Sequence, residues 1–268
     1  MTAQHTAHRR ARTEHRGETF RAFFIAVLIA LGVRTFVVEP FKIPSASMVP
    51  TLLVGDYILV NKFAYGVRMP VTGKILIPVG APTRGDVVVF RYPDDPSIDY
   101  IKRVIGIPGD TVRVAGNEVW VNDTQLDHQL QSDYAHMNYD VDREEMKTRY
   151  IERNVEGDEY TIIHNVGIPL WKASESQEWT VPEGQYFMMG DHRDNSRDSR
   201  KWRNSFVTTD QLKGRAFLVH WSWVLGGEQS SDNFIVDLVQ TLWKIVTFEV
   251  EEIRWNRIGR SIDGIADP

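Results

Sequence analysis

The sequence predicts an all-β region that carries a second, inserted β domain and stands behind one N-terminal transmembrane helix. Three observations predict it. Runs rich in Val, Ile, Tyr and Phe recur along most of the chain, closed by Gly-Asp, Pro-Gly-Asp and Gly-Asn turns. One apolar stretch lies near the amino end. A polar, acidic stretch around 124–158 interrupts the strand pattern and marks an excursion from the main body.

The apolar stretch comes first. Residues 1–18 hold four Arg and three His against two Glu, and "FRAFFIAVLIALGVRTFVVE" follows. Its charge-free run, 22–33, has only twelve residues, short of the roughly 18–20 that cross a bilayer. Extended over 20–38 it has nineteen, about 28 Å as a helix, with Arg21 and Arg34 snorkelling at the ends. A cleaved leader is the rival reading, with "SAS" at 45–47 as its small-residue site. That site lies fourteen residues past Val33, with Arg34, Glu39 and Lys42 between, too far from the apolar run. The expectation is a cytoplasmic basic tail at 1–18 and an uncleaved anchor at 19–38. The arginines keep the amino end inside, so the rest lies outside a bacterial plasma membrane, with the lipid bilayer as a partner.

Strands follow. "DYILVNKFAYGV" (56–67), "GDVVVFRYP" (85–93) and "YIKRVIGI" (100–107) have strand composition. "VRVAGNEVWVN" reads as two alternating runs joined by a hairpin turn. Residues 124–158, with "DVDREEMKTRY" at the centre, read as a solvated excursion. "EYTIIHNV" (159–166), "EWTVPEGQYFMMGD" (178–191) and "GRAFLVHWSWVL" (214–225) return to strand character. The expected division is a main β core of 39–109 and 186–268 with an inserted β domain at 110–185. Residues 234–250 have helical spacing at Ile235, Leu238, Val239, Leu242, Ile245 and Val246. They read as an amphipathic helix, either packed on the domain or lying at the membrane interface.

Composition removes several functions. Cysteine is absent, so no disulfide, thiolate metal site or thiol nucleophile exists. The net charge of −5 and the lack of a nucleic-acid motif give no nucleic-acid partner. Twelve Phe, nine Tyr and eight Trp can fill a sizeable core in a chain of 268 residues.

The chemistry begins at "PSASMVPTL" (44–52), where either serine could be a nucleophile if something takes its proton. Histidine is the usual base. Three of the eight histidines lie in the amino tail, and none of the other five sits in a triad motif. His192, in "GDHRDNS", is the best placed of them, although a histidine in a polar turn is more often structural. Lysine is the other base. Free in water, about one molecule in 2,500 is neutral at pH 7, but burial lowers the pKa by several units. "DYIKRVIGIPGD" embeds Lys102 in an apolar strand; the bland alternative is a lysine pointing outward. "MGDHRDNSRDSRKW" (189–202) could be a calcium loop, but no Glu closes it at the required position. Asp198 and Arg200, two apart, more plausibly hold the loop together.

Three blocks, "PSASMVPTL", "RGDVVVF" with "DYIKRVIGIPGD", and "GDHRDNSRDSR", resemble in order the boxes of bacterial type I signal peptidases. "AFLVHWSW" and "RWNRIGRSI" resemble that family's closing strands. The resemblance implies Ser47 as nucleophile, Lys102 as general base, and Ser45 with the Ser47 N–H as the oxyanion hole. It implies Ser196 as the hydroxyl that orients the lysine, Asp198–Arg200 and Asp191–Arg103 as supporting ion pairs, and Gly190 as a point of close backbone approach. It implies apolar substrate pockets lined by Phe41, Pro44, Met48, Leu52, Ile58, Val89, Tyr100 and Ile101. Read from the sequence alone, those eight are core. The substrates implied are pre-proteins bearing an Ala-x-Ala-like signal, cut by a serine endopeptidase that needs neither metal nor cofactor. His192 departs from the asparagine common at its place, and 226–249 looks inserted. Two other readings stand beside this one. A self-cleaving repressor-type Ser/Lys protease would need a DNA-binding domain where the anchor lies. A membrane-anchored β-rich binding protein would make the serines ordinary turn residues.

Overall fold

The computed structural model describes residues 21–25, 27, 38–69, 75–138, 143–166, 176–225 and 250–264. The chain divides into a short amino-terminal unit, 1–39, and a large unit, 40–268. In the first, residues 21–25 and 27 are helical, with Phe23 and Phe24 exposed. Most of the expected anchor at 19–38 lies outside the described residues, and Val38 already belongs to a strand. No helix among the described residues is long and apolar enough to cross a membrane. The helix expected at 234–250 also lies outside them, except Val250, which opens a strand.

Among the described residues the large unit is built of strands and three short 3₁₀ turns. Along the chain come β1 (Val38–Lys42), β2 (Asp56–Asn61), β3 (Val67–Arg68), β4 (Ile75–Ile77), β5 (Val87–Tyr92) and β6 (Asp95–Gly106). Then follow β7 (Thr111–Ala115), β8 (Glu118–Val121), β9 (Thr124–Gln125), β10 (Asp127–Asn138), β11 (Arg143–Arg153) and β12 (Glu159–Asn165). The chain closes with β13 (Gln177–Thr180), β14 (Gln185–Met189), β15 (Val207–Thr208), β16 (Leu212–Leu225), β17 (Val250–Ile253) and β18 (Arg260–Ser261). The largest sheet runs β1-β2-β16-β5-β6-β14-β15, with β17 and β18 also on β16. Two smaller sheets, β13-β7-β8-β9 and β10-β11-β12, come from the stretch between β6 and β14.

The main sheet is built from β-branched residues that alternate inward. In β2, Asp56, Ile58 and Val60 are buried and the residues between them only partly so. β5 is buried over nearly its whole length, as suits a strand covered on both faces. One core cluster gathers Ile43, Met48, Leu52, Ile58, Val60, Val87, Val89, Ala216, Val219 and Ile262. Another joins Ile105, Phe187 and Met189 of the main sheet to Val112, Val119, Val121, Leu126 and Val181 of the small sheet. The inserted stretch therefore shares a core with the main sheet.

The solvated excursion expected at 124–158 is a long antiparallel ladder, pairing Asp127 with Arg153 at one end and Asn138 with Arg143 at the other. Charge density hid it. Backbone groups are satisfied by the ladder, so the side chains can be polar, and the buried ones are partnered: Lys147 Nζ donates to Glu145 at 2.7 Å and to Asn165 at 2.5 Å. The closing "RWNRIGRSI" follows β17 and holds a short 3₁₀ turn at Trp255–Arg257 and β18. Arg257 reaches back into the interior, donating to Asp56 at 2.6 Å and to the Thr51 carbonyl at 2.9 Å. Asp56 also accepts from Ser222 Oγ at 2.6 Å and the Leu53 N–H at 2.8 Å. Replacing Asp56 with Asn leaves the Arg257 charge buried without its counterion. We expect chemical denaturation of Asp56→Asn to show a loss of about 3–5 kcal/mol, against a small loss for the exposed pair Lys213–Asp99.

Candidate active site

Ser47 lies in a single 3₁₀ turn, Ala46–Met48. Met48, Val49 and Leu52 are buried and fix the turn from below, and the Leu52 N–H donates to the Met48 carbonyl at 2.9 Å. Ser45 precedes the turn in extended conformation and makes no side-chain cap bond. Its hydroxyl lies 3.5 Å from Ser47 Oγ, on the exposed side. The Ser47 N–H is in the first turn, where no intrahelical acceptor exists.

Lys102 comes from the point where β6 passes from exposed to buried. It shares a face with Tyr100 and Val104, and its ammonium lies 5.3 Å from the Tyr100 ring centroid. Only 3% of the residue is exposed. Lys102 Nζ is 2.6 Å from Ser47 Oγ and 2.9 Å from the Ile101 carbonyl. Burial lowers its pKa to about 8; Asp198 and Asp191 pull it upward and Arg200 pushes it further down.

Two carboxylates brace the pair. Asp191 receives Arg103 through Nε at 2.8 Å and Nη2 at 2.6 Å, and Thr51 Oγ1 at 2.5 Å. This ties the turn after Ser47, the strand of Lys102 and the loop after β14 to one buried group. Asp198 receives Arg200 through Nε and Nη2, both at 2.8 Å, and the Gly190 N–H at 3.0 Å. Burial pushes the Asp198 carboxyl up, but Arg200 and these bonds bring it below the ordinary carboxylate range. A Cβ on Gly190 would fall 2.4 Å from the Ser47 carbonyl oxygen and 2.4 Å from Ser196 Oγ. Only glycine permits that approach.

Several expected residues sit differently. Ser196 is buried beside Asp198, and the lysine donates to Ser47 and Ile101 and not to its hydroxyl. His192 contacts backbone: its Nδ1 lies 3.3 Å from the Ala46 carbonyl, and its N–H donates to the Ser47 carbonyl at 3.2 Å. A cleft of about 760 Å³ opens over the pair, lined on one side by Pro44, Ser45, Ile98, Asp99, Tyr100 and Ile101. Asp194, Asn195, Ser196, Arg197 and Lys201 form the other side. Pro44, Tyr100 and Ile101 thus face the cleft. Met48, Leu52, Ile58 and Val89 lie in the core cluster beneath it, with Phe41 packed partly buried against them. Ile101 both lines the cleft and packs on that cluster.

Three participants had no signal that sequence reasoning used. Thr51 stands next to the serine turn, whereas Glu152 and Tyr160 come from the inserted ladder. Tyr160 lies under the Arg103 guanidinium at 4.0 Å. Arg193, inside "GDHRDNS", pairs with Glu152.

A family model described as signal peptidase, peptidase S26, matches residues 16–221. Signal peptidase I of Pseudomonas aeruginosa is 43% identical over 212 residues, covering 76% of this chain and 72% of that protein. Signal peptidase I of Aquifex aeolicus is 35% identical over 232 residues, covering 74% and 82%. That of Rickettsia conorii is 31% identical over 263 residues, covering 90% and 91%.

The lowered lysine pKa has a consequence for stability. Below about pH 8 the amine is charged in both folded and unfolded chains, so folding bears the full penalty of its burial. Above the ordinary lysine value of 10.5 both are neutral and the penalty vanishes. We expect Lys102→Met to raise stability at pH 7 by on the order of 3 kcal/mol, and the gain to shrink as pH rises from 8 to 10. Thermal unfolding followed at several pH values measures it.

Proposed function

The chain belongs to the signal peptidase family, peptidase S26, and is a serine endopeptidase; from that premise we propose that it removes signal peptides from exported pre-proteins by a Ser47–Lys102 dyad. The observation that carries this reading is the amine of Lys102, buried and 2.6 Å from the Ser47 hydroxyl. With a pKa of about 8, roughly one molecule in ten is neutral at pH 7, against about one in 2,500 for a free lysine.

In the proposed reaction neutral Lys102 takes the Ser47 proton as Oγ attacks the carbonyl carbon of the residue before the cut. The Ser45 hydroxyl and the Ser47 N–H donate to the developing oxyanion. The lysine ammonium then protonates the leaving amine, which departs as the new amino terminus of the mature protein. Lys102, neutral again, deprotonates a water that attacks the acyl ester and frees the signal peptide carboxylate and Ser47. Asp198–Arg200 and Asp191–Arg103 hold the geometry, Gly190 admits the Ser47 carbonyl, and the Ser196 hydroxyl, beside Asp198, can turn toward the amine.

Substrate binding follows from an open edge. β14 pairs with β6 only from Arg103 onward, at Met189. Residues 99–101 pair with β5 and, with Ile98, line the cleft. An extended peptide can add there as a further strand, near Pro44 and Asp99. Small residues at −3 and −1, an Ala-x-Ala pattern, suit shallow apolar walls of Pro44, Tyr100 and Ile101, since a larger side chain would clash. The apolar stretch 20–38 is proposed as the single anchor, with the amino end cytoplasmic and the catalytic unit outside. Phe23 and Phe24, exposed on a helix, are suited to lipid. Anchoring would confine enzyme and membrane-held substrate to one surface and raise their effective concentration.

Ser47→Ala and Lys102→Ala should each abolish cleavage of a purified pre-protein with the fold intact. Lys102→Arg should fail as well, because a guanidinium keeps its proton. The kcat/KM of the wild type should rise with pH through a limb near the lysine pKa of about 8 and be flat below it only at a low floor. Undiminished turnover in any of the three variants rejects the dyad. For orientation, external protease added to intact cells should reach the chain beyond residue 39; full protection would reverse the topology.

A further inference from the structure

The strongest charged group outside the dyad is also buried. Glu152, on β11, has no exposed surface. Arg193 donates to it through Nη1 at 2.6 Å and also through Nη2. Tyr160, on β12, donates at 2.6 Å, and His128 Nε2, on β10, lies 2.7 Å away. Burial pushes this carboxyl up, but Arg193 and the bonds from His128 and Arg193 bring it far below the ordinary range. A buried ion pair of this kind adds little net stability compared with apolar residues of the same shape. What it does supply is a fixed geometry.

The geometry it fixes is that of the loop over the lysine. The Arg193 N–H donates to the Ile163 carbonyl at 3.1 Å, and the Ile163 N–H to the Asp191 carbonyl at 3.0 Å. The Arg193 carbonyl accepts from Arg200 Nη2 at 2.7 Å. One residue before, the His192 N–H holds the Ser47 carbonyl; one to four residues after, Asp194, Asn195, Ser196 and Arg197 form a wall of the cleft beside Lys102. We infer that Glu152 is a positioning residue for the reaction: by gripping Arg193 from the inserted sheet, it seats the 190–197 loop that keeps water from the Lys102 amine. This rests on the proposed dyad and goes beyond it, because it makes the inserted sheet part of the catalytic apparatus. Around Lys102 the facing groups are Ser47, the Tyr100 ring, Asp198, Asp191 and Arg200. None of them is Glu152, so its effect must pass through the loop.

The test uses the full chain in detergent, with Glu152→Gln, Tyr160→Phe and the double variant Glu152→Gln/Arg193→Gln. A pre-protein with an Ala-x-Ala site is the substrate. Glu152→Gln should lower kcat by about tenfold or more, since misplacement of a reacting group by about an ångström costs up to about a hundredfold. KM should stay within about twofold, and the acid limb of kcat/KM should move up by about half a pH unit or more, because hydration raises the lysine pKa. The double variant should be no worse than Glu152→Gln alone, the mark of a shared pair. Tyr160→Phe, which removes one bond and leaves the ion pair, should move the limb the same way by less; it decides the matter if Glu152→Gln does not fold. A folded Glu152→Gln with wild-type kcat, or with reduced kcat and an unmoved limb, overturns the inference, as does an unmoved limb in Tyr160→Phe when that variant alone folds. Ser47→Ala and Lys102→Arg run alongside. Activity in either rejects the dyad, whereas an unmoved limb with both inactive rejects only the role of Glu152.

Discussion

Everything in this active site depends on keeping one amine out of water beside one alcohol. A lysine exposed on a strand would be charged at neutral pH and could not accept a proton. Here β6 delivers Lys102 at the point where the strand enters the interior, and the Ser47 turn meets it at 2.6 Å. Desolvation is the larger influence on the amine, and the two nearby carboxylates work against it. That opposition explains why neither Asp191 nor Asp198 contacts the amine. Each is consumed by its own guanidinium, Arg103 or Arg200, at a distance from Nζ. A carboxylate left unpaired in the same place would hold the lysine charged.

The second requirement is backbone precision. Three segments distant in sequence converge on the Ser47 turn: the turn itself, β6 and the loop after β14. Asp191 joins all three through Thr51 and Arg103. Arg257 holds the far end of the turn at the Thr51 carbonyl, while Gly190 and the His192 N–H meet the Ser47 carbonyl from above. A serine in a single short turn has little helix of its own to steady it. Its rigidity is therefore borrowed from buried ion pairs around it.

Much of this was legible in the sequence, and the reason differs by residue. Alternating Val, Ile and Tyr runs gave β2, β5, β6 and β16 because their buried positions are mostly apolar. Lys102 stood out because a charged residue inside such a run is anomalous. Asp198 and Arg200 were readable as a pair because their contact is local. The ladder of β10 and β11 was not legible. Its charges are paired across strands and with the catalytic loop, so no period of apolar residues marks it. Glu152 looks like any solvent-facing glutamate in "YIERN" until the fold brings Arg193 to it. The expected pocket residues Met48, Leu52, Ile58 and Val89 are buried in one cluster, with the cleft-lining Ile101 packed against it. Apolar composition says that a side chain is covered, but not whether substrate or protein covers it.

The distribution of buried charge bears on why the inserted stretch is integral and not an appendage. A hydrophobic contact between two sheets tolerates sliding, since apolar attraction has no direction. A carboxylate that receives two guanidinium nitrogens, a phenol and an imidazole tolerates almost none. The small sheet meets the main sheet by the first kind of contact, through Val112, Val119 and Phe187. The β10-β11-β12 sheet meets the catalytic loop by the second. Directional bonds thus tie this sheet to the loop over the amine, beside the apolar packing of Ile163 on Ala46 and Val49. The ladder that looks least like a core from its sequence is the one whose bonds reach the loop over the amine.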